Sequence, residues 1–549
     1  MSTFYTTKLG QIYATNLTAQ VAFRLTKLVE RYRDRIPKPV ETGLTERDAI
    51  LISYADQVQE PGELPLKTLG EFCSSHLHGV VSGIHILPFF PWSSDDGFSV
   101  MDYRAVAPSL GSWRDIEQLG AAFRLMLDGV INHASVQGSW FQAFLRDEQP
   151  YRDYFLTVKG APDLSRVVRP RALPLLTEFK TVSGTRHVWT TFSTDQADLD
   201  YHNPDVLLEI IDILLMYAQR GAQFIRLDAI AYLWKEPGTT CIHLPQTHAI
   251  VQLLRQILDE VAPHVYLITE TNVPHADNLS YFGDGDNEAQ LVYNFSLPPL
   301  VLHTLRTGDV SALSQWAAGL ESPSERTTFF NFLASHDGIG LNPARGILTG
   351  MDIEALVTQT QAHGGLISYK QNPDGSQSPY ELNISYFDAL SDPNGSEPLD
   401  VQVDRFMAAQ AIMLAMRGVP GIYFHSLFGS RNWREGVQVT HHNRAINRQK
   451  LERSPLEQEL ADPSSLRKQV FDRYRRLLIQ RASSTAFHPQ AAQSILDAGG
   501  GIFALLRTSP HGTERMLCLQ NVTAQPQLGS LHNRTFSLAP YQTVWQLLL

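Results

Sequence analysis

The chain has 549 residues, more than one ordinary domain carries and suited to a large catalytic domain with attachments. Hydrophobic residues make up 43% and charged residues 18%, a globular balance. The formal net charge of −11 argues against a nucleic-acid-binding surface, which needs stripes of Lys and Arg.

A small anionic substrate stays open, because a few arginines in a cleft outweigh the global field locally. The N-terminus MSTFYTTKLGQIYATNL lacks a basic segment followed by an apolar run, so no secretory signal is expected. No stretch approaches the roughly 18 apolar residues of a membrane helix, so no membrane partner is expected. Cys73, Cys241 and Cys518 are odd in number and far apart, without zinc or disulfide spacing, which points to a reducing, cytoplasmic setting. Residues 12–36 read as one amphipathic helix, with Val21, Leu25, Leu28 and Val29 at helical spacing, within a helical extension over 1–49.

From residue 50 onward short apolar runs alternate with helical patterns. The runs are 50–56, 83–90, 124–132, 222–229, 265–271, 291–295, 328–337 and 418–426, nearly continuous in apolar residues as strands buried on both faces must be. Eight of them with helices between predict an α/β fold, a (β/α)8 TIM barrel, in two parts over 50–136 and 195–489. Two connections are too long for plain loops. Residues 137–194, after the third strand, read as a small inserted domain, and 340–400, after the seventh, as an extended loop holding the turn-rich NPDGSQSP. Residues 490–549, with the alternating runs IFALLRT, MLCLQNV and QTVWQLL, predict a C-terminal antiparallel β-domain.

Asp56, Asn132, His133, Asp228, Glu270, His336 and Asp337 fall at the C-terminal ends of the predicted strands, the end that carries chemistry in such barrels. Arg226, two residues before Asp228, shares its strand face and holds it ionised. That fragment alone reads equally well as a buried Arg–Asp pair or as a nucleophile with its support. Glu270 alone reads as a helix cap; beside Asp228 it reads as the second of two carboxyls that a retaining glycosidase needs about 5–5.5 Å apart. Asp337 is a third carboxylate able to favour oxocarbenium-like charge, although Asp337-Gly338 is also a plain turn sequence. His133 is a candidate donor to a sugar hydroxyl.

These fragments, in fixed order on predicted strands, resemble the α-amylase superfamily over nearly all of the chain after residue 50. The resemblance implies Asp228 as nucleophile, Glu270 as general acid/base and Asp337 as transition-state stabiliser, in a two-step retaining reaction. The segments HILPFFPWSSDDGFSVMDY (85–103), RPRALPLL (169–176), RLDAIAYLWKEPGTTC (226–241), SHDGIGL (335–341) and NRAINRQK (443–450) are similar to sucrose phosphorylase and its relatives. That similarity implies glucosyl contacts from Asp95 and Arg448, with Asp96 sharing or swapping the role of Asp95, and pocket walls from Phe192 and Gln196. It implies Tyr232 on the acceptor side, and Arg169, Arg171, His336 and Tyr380 as phosphate donors. Sucrose phosphorylases carry Tyr-Gln where SPYELN (378–383) has Tyr380-Glu381, which turns the expectation away from plain sucrose. The N-terminal extension, SPYELNISYFDAL and the GSRN stretch near Arg431 look more like the glucosylglycerate phosphorylases. The implied small-molecule partners are an α-glucoside, inorganic phosphate and glycerate, with Lys235, Arg431 or Arg434 as cations for the glycerate carboxylate. No cofactor and no metal are expected, since the Gly-rich stretches form no strand–GxGxxG–helix unit. A homodimer is allowed, as nothing in the sequence fixes the assembly.

Overall fold

The computed structural model describes residues 3–548 except 41, 373, 532 and 533. Eight parallel strands close into a barrel: Ile50–Ser53, Gly83–Ile86, Arg124–Gly129, Ala222–Leu227, Tyr266–Thr269, Leu291–Tyr293, Thr328–Asn331 and Val419–Tyr423. They are the eight strands expected from the apolar runs, each shorter than its run because the remaining residues turn out over the barrel rim. The first strand closes the circle, pairing Ile50 with Gly83 on one side and with Gly421 on the other. Gly421 is required at that seam: a Cβ there would sit 2.4 Å from Cε1 of Phe330, which fills the barrel interior.

Helices return the chain between strands. Pro204–Gln219 starts on an Asn203 cap that accepts from the Asp205 amide, with proline in its first turn, where the missing N–H costs nothing. The N-terminal segment differs from the expected single helix. It forms two helices, Thr3–Ile12 and Thr15–Tyr32, broken where Ala14 is extended and the Tyr13 hydroxyl donates to Tyr201 O at 3.0 Å. This hairpin lies on the outside of the barrel, with Arg24 on Asp205 at 2.6 Å, Arg31 on Asp212 at 3.2 Å, and both Tyr5 and Arg33 on Glu260.

The insertion after the third strand carries a three-stranded sheet (Thr157–Val158, Leu176–Thr181, Gly184–Trp189). Its root is the short pairing of His133–Ser135 with Gln196–Asp198. The connection after the seventh strand is more ordered than the expected loop. It contains the helix Gly350–Ala362 and the hairpin Leu366–Gln371 / Gln377–Asn383, whose second strand also pairs with Ile339–Gly340. The turn-rich stretch is the tip of that hairpin, where Asp374 accepts from Ser376; Pro373 lies outside the described residues.

The chain ends in a four-stranded antiparallel sheet (Ala492–Asp497, Ile502–Thr508, Arg515–Asn521, Thr543–Leu548) and a separate hairpin, Gln527–Leu531 with Arg534–Leu538. Two buried arginines lie at the junction of this sheet with the barrel, and only Arg507 comes from the sheet. Arg481 donates to the carbonyls of Leu414, Glu46, Asp48, Gly418 and Phe487, and Arg507 to those of Ala415, His488 and Ala491. Leu414 and Ala415 are the last residues of the helix Leu399–Ala415, where free carbonyls and the negative end of the helix dipole favour a cation. Among the described residues no helix is long and apolar enough to cross a membrane.

Candidate active site

Asp228 follows the fourth barrel strand directly and Glu270 the fifth, while Asp337 lies beyond the seventh. The three carboxylates meet in a narrow cavity at the C-terminal rim. Arg226, 1% exposed, organises them from below. Its Nη1 donates to Asp128 at 2.5 Å and to Asp228 at 2.9 Å, and its Nη2 stands 3.8 Å from Glu270. Asp128 also takes Nε2 of His85 at 2.7 Å, so the guanidinium is fixed from the barrel interior. Asp228 and Glu270 therefore sit on one guanidinium. The backbone turns sharply after Asp228, with Ala229 left-handed at φ 50°, and the Ala229 N–H donates to Glu270 at 3.0 Å.

Burial pushes both Asp228 and Glu270 above the usual carboxylate range against the pull of Arg226. Each also feels neighbouring carboxylates, so the pair retains a proton that separated groups would lose. Arg226 lies closer to Asp228, at 2.9 Å, than to Glu270, at 3.8 Å. Asp337 behaves oppositely. Burial works to raise it, but the guanidinium groups of Arg444 and Arg448 hold it well below the usual range. Burial pushes His336 and His133 down, so both rings are neutral; His336 stacks on Phe98 at 4.7 Å.

One wall carries two arginines paired with carboxylates. Arg444 bridges Asp337 at 2.6 Å and Glu381 at 2.6 and 3.2 Å. Arg171 stands 3.9 Å from Glu381, its guanidinium 5.5 Å from the Tyr380 ring and 6.0 Å from the Phe192 ring. Tyr232 packs edge-on to Phe192 at 5.4 Å. On the opposite wall Asp95, Asp96 and Gly97 have φ of 52°, 48° and 112°, three left-handed residues in a row. Such backbone costs roughly 1–2 kcal/mol at each non-glycine residue. Gly97 admits no side chain, since a Cβ would meet Pro88 O at 2.4 Å. Arg448 spans the turn, with Nη1 2.9 Å from Asp96 and 3.4 Å from Asp95.

The cavity thus brings together Asp95, His133, Arg171, Phe192, Gln196, Asp228, Tyr232, Glu270, His336, Asp337, Tyr380 and Glu381. Arg226 and Arg448 stand behind this lining. Other expectations fail. Lys235 is 3% exposed and bound to Asp198 at 2.7 Å and Asn132 at 2.9 Å, so its charge is already answered inside the fold. Arg431 is tied to Asp388 at 2.7 Å, and Arg434 lies against Gly364; neither lines the cavity. Arg169 also stays outside, its backbone bridged to Gln371 and its guanidinium on Leu173 O. Asp56 pairs with Lys450 at 2.7 Å. Sequence reasoning missed Phe98, Asn272 and Arg444. Asn272 lies two residues past Glu270, and Arg444 lies four before Arg448 within NRAINRQK, so both were within reach of residues already singled out. Among the described residues no group of three or more His, Cys, Asp or Glu side chains is placed to hold a metal ion.

A family model for the α-amylase catalytic domain matches residues 78–338. A glucosylglycerate phosphorylase of Spirochaeta thermophila is 53% identical over 519 residues, 93% of this chain and 88% of the relative. A glucosylglycerate phosphorylase of Escherichia coli is 46% identical over 552 residues, 98% of each chain. Among solved structures, sucrose 6F-phosphate phosphorylase from Thermoanaerobacter thermosaccharolyticum superposes with a TM-score of 0.76 at 25% identity, covering 91% of this chain and 100% of that one.

Proposed function

The chain belongs to the α-amylase family, and on that premise we propose that it is a retaining glycoside phosphorylase converting glucosylglycerate and phosphate to α-glucose 1-phosphate and D-glycerate. The support for the acceptor is identity of 53% and 46% to two glucosylglycerate phosphorylases over nearly whole chains. The observation that carries the chemistry is the sharing of Arg226 by Asp228 and Glu270, which sets two carboxyl groups on one support, one to act as nucleophile and one as acid/base.

In the first step Glu270 gives its proton to the glycosidic oxygen as the C1–O bond breaks. Asp228 attacks C1, and glycerate leaves with the proton from Glu270. Asp337, held ionised by Arg444, stabilises the positive charge that develops at C1. In the second step a phosphate oxygen attacks C1, the bond to Asp228 breaks, and Glu270 takes a proton from phosphate. Two inversions restore the α configuration. Arg171, only loosely paired with Glu381 at 3.9 Å, supplies a guanidinium for phosphate and the glycerate carboxylate, beside Arg444, which is already bridged to Asp337 and Glu381. Asp95 holds the glucosyl unit, with Arg448 behind it and Phe192, Gln196, His133 and His336 around it. We place the reaction in the cytoplasm, in keeping with three buried, unpaired cysteine thiols.

The test is phosphate-dependent release of glucose 1-phosphate from glucosylglycerate, sucrose and sucrose 6′-phosphate. Release from glucosylglycerate alone is the expected result. Release from sucrose 6′-phosphate and not glucosylglycerate would move the acceptor assignment, and free glucose formed equally without phosphate would make the enzyme a hydrolase.

A further inference from the structure

We infer that Asp96 is a positioning residue that keeps the neighbouring Asp95 carboxylate open to the glucosyl unit by holding Arg448 away from it; this rests on the reading of the cavity as a glucosyl site. The two acids are adjacent and chemically alike, but the left-handed run of Asp95, Asp96 and Gly97 sends them different ways. Asp95 lines the cavity, and Asp96 does not.

Arg448 lies between them. It is 5% exposed, and its Nε is anchored on His336 O at 2.8 Å. Its Nη1 is nearer to Asp96, at 2.9 Å, than to Asp95, at 3.4 Å. The other end of the guanidinium is 4.0 Å from Asp337. Asp96 also faces Lys450 and His442; Lys450 is itself fixed by Asp56 at 2.7 Å and lies 3.7 Å above the Tyr54 ring. Asp96 thus takes the shorter hydrogen bond from Arg448 Nη1, and Asp95 shares the same group at longer range. The long contact to Asp95 leaves that carboxylate with unfilled acceptor sites on the cavity side, as a ligand for sugar hydroxyls needs. Without the Asp96 charge, Nη1 is free to close onto Asp95, drawing the carboxylate out of the cavity and occupying the lone pairs that the sugar would use. The glucosyl unit is common to both directions of the reaction. Loss of Asp96 therefore acts alike on the disaccharide and on glucose 1-phosphate, and leaves the second-substrate side untouched.

The experiment compares Asp96→Asn, which keeps the shape and tolerates left-handed backbone, with Asp96→Gly, which relieves the backbone and removes the acid. Both should raise KM for glucosylglycerate and for glucose 1-phosphate by the same factor, about tenfold for one charged contact. KM for phosphate and for glycerate should not move. Titration of methyl α-glucoside into each protein should show the same loss of binding. Unchanged donor KM in Asp96→Gly, unequal factors for the two donors, or a fall in kcat alone with a lowered Tm would overturn the inference. A wild type without phosphorolysis would sink the functional reading instead, and the methyl α-glucoside titration would still judge Asp96.

Discussion

Glu381→Gln tests whether the acceptor wall is tuned by charge. Glu381 is 2% exposed and pairs with Arg444 at 2.6 and 3.2 Å, with Arg171 3.9 Å away. An anion on Arg171 would stand about 6 Å from that carboxylate, a repulsion of about 3 kcal/mol per unit charge at an effective dielectric near 20. Arg444, bonded to the same carboxylate, offsets most of it and leaves about 1 kcal/mol per unit charge. The glutamine keeps the size, and its amide oxygen still accepts from Arg444. Phosphate, with up to two charges, should gain about 2 kcal/mol and a KM lowered roughly 30-fold, and glycerate, with one, about fivefold. Initial rates of glucose 1-phosphate formation against phosphate, and of its consumption against glycerate, measure both. Equal or raised KM for phosphate would refute the reasoning and make Glu381 a direct contact to the acceptor.

Asp228→Asn and Glu270→Gln should each lower turnover by several orders of magnitude, and Asp228→Asn should form no glucosyl-enzyme detectable by intact-protein mass spectrometry. Because burial raises Glu270 above the ordinary glutamate value near 4.5, the folded chain holds that proton more tightly than the unfolded one. Stability from this group is then full below about pH 4.5 and declines as pH rises toward the raised value. The Tm of Glu270→Gln should accordingly exceed that of wild type by more at about pH 7 than at about pH 5, and a pH-independent difference would contradict the assignment. Lys235→Met should destabilise the fold by about 3–5 kcal/mol in denaturant titration, because it strands the buried Asp198, and a second change, Asp198→Asn, should return part of the loss. Asp198 also accepts from the Thr191 backbone at 2.9 Å and hydroxyl at 2.6 Å, so donor KM should rise with it through displaced Phe192.

The barrel was legible because its strands are buried on both faces, so that runs such as ILIS and YLIT carry almost no polar residue until the rim is reached. The period of two then placed Arg226 and Asp228 together, and strand ends gave Glu270 and the neighbourhood of Asp337. The cations were less legible. Arg171, Arg431, Arg434, Arg444 and Lys235 look alike in a sequence, and what separates them is the partner each meets across the fold. Asp388 takes Arg431, and Asp198 takes Lys235. Arg444 reaches the cavity from the short helical turn Asn443–Asn447, beyond the eighth strand, where no local pattern marks it. The break in the N-terminal helix was hidden for the same reason, since the Tyr13 hydroxyl is drawn to a residue far along the chain.

The guanidinium groups of Arg481 and Arg507 have a consequence for how this enzyme tolerates being cut. Burial lowers their pKa to about 10 and about 9, yet both stay charged in a cell, and peptide oxygens stabilise those charges. One of the two belongs to the terminal sheet and reaches the catalytic cylinder at Ala415 O, its other acceptors, His488 and Ala491, lying in the connection between them. Removing residues after about 490 would take Arg507 away and uncover the floor around Arg481. The tail is thereby the plug in the vessel's base, and a truncated enzyme should fail by collapse from beneath, well away from where sugar binds.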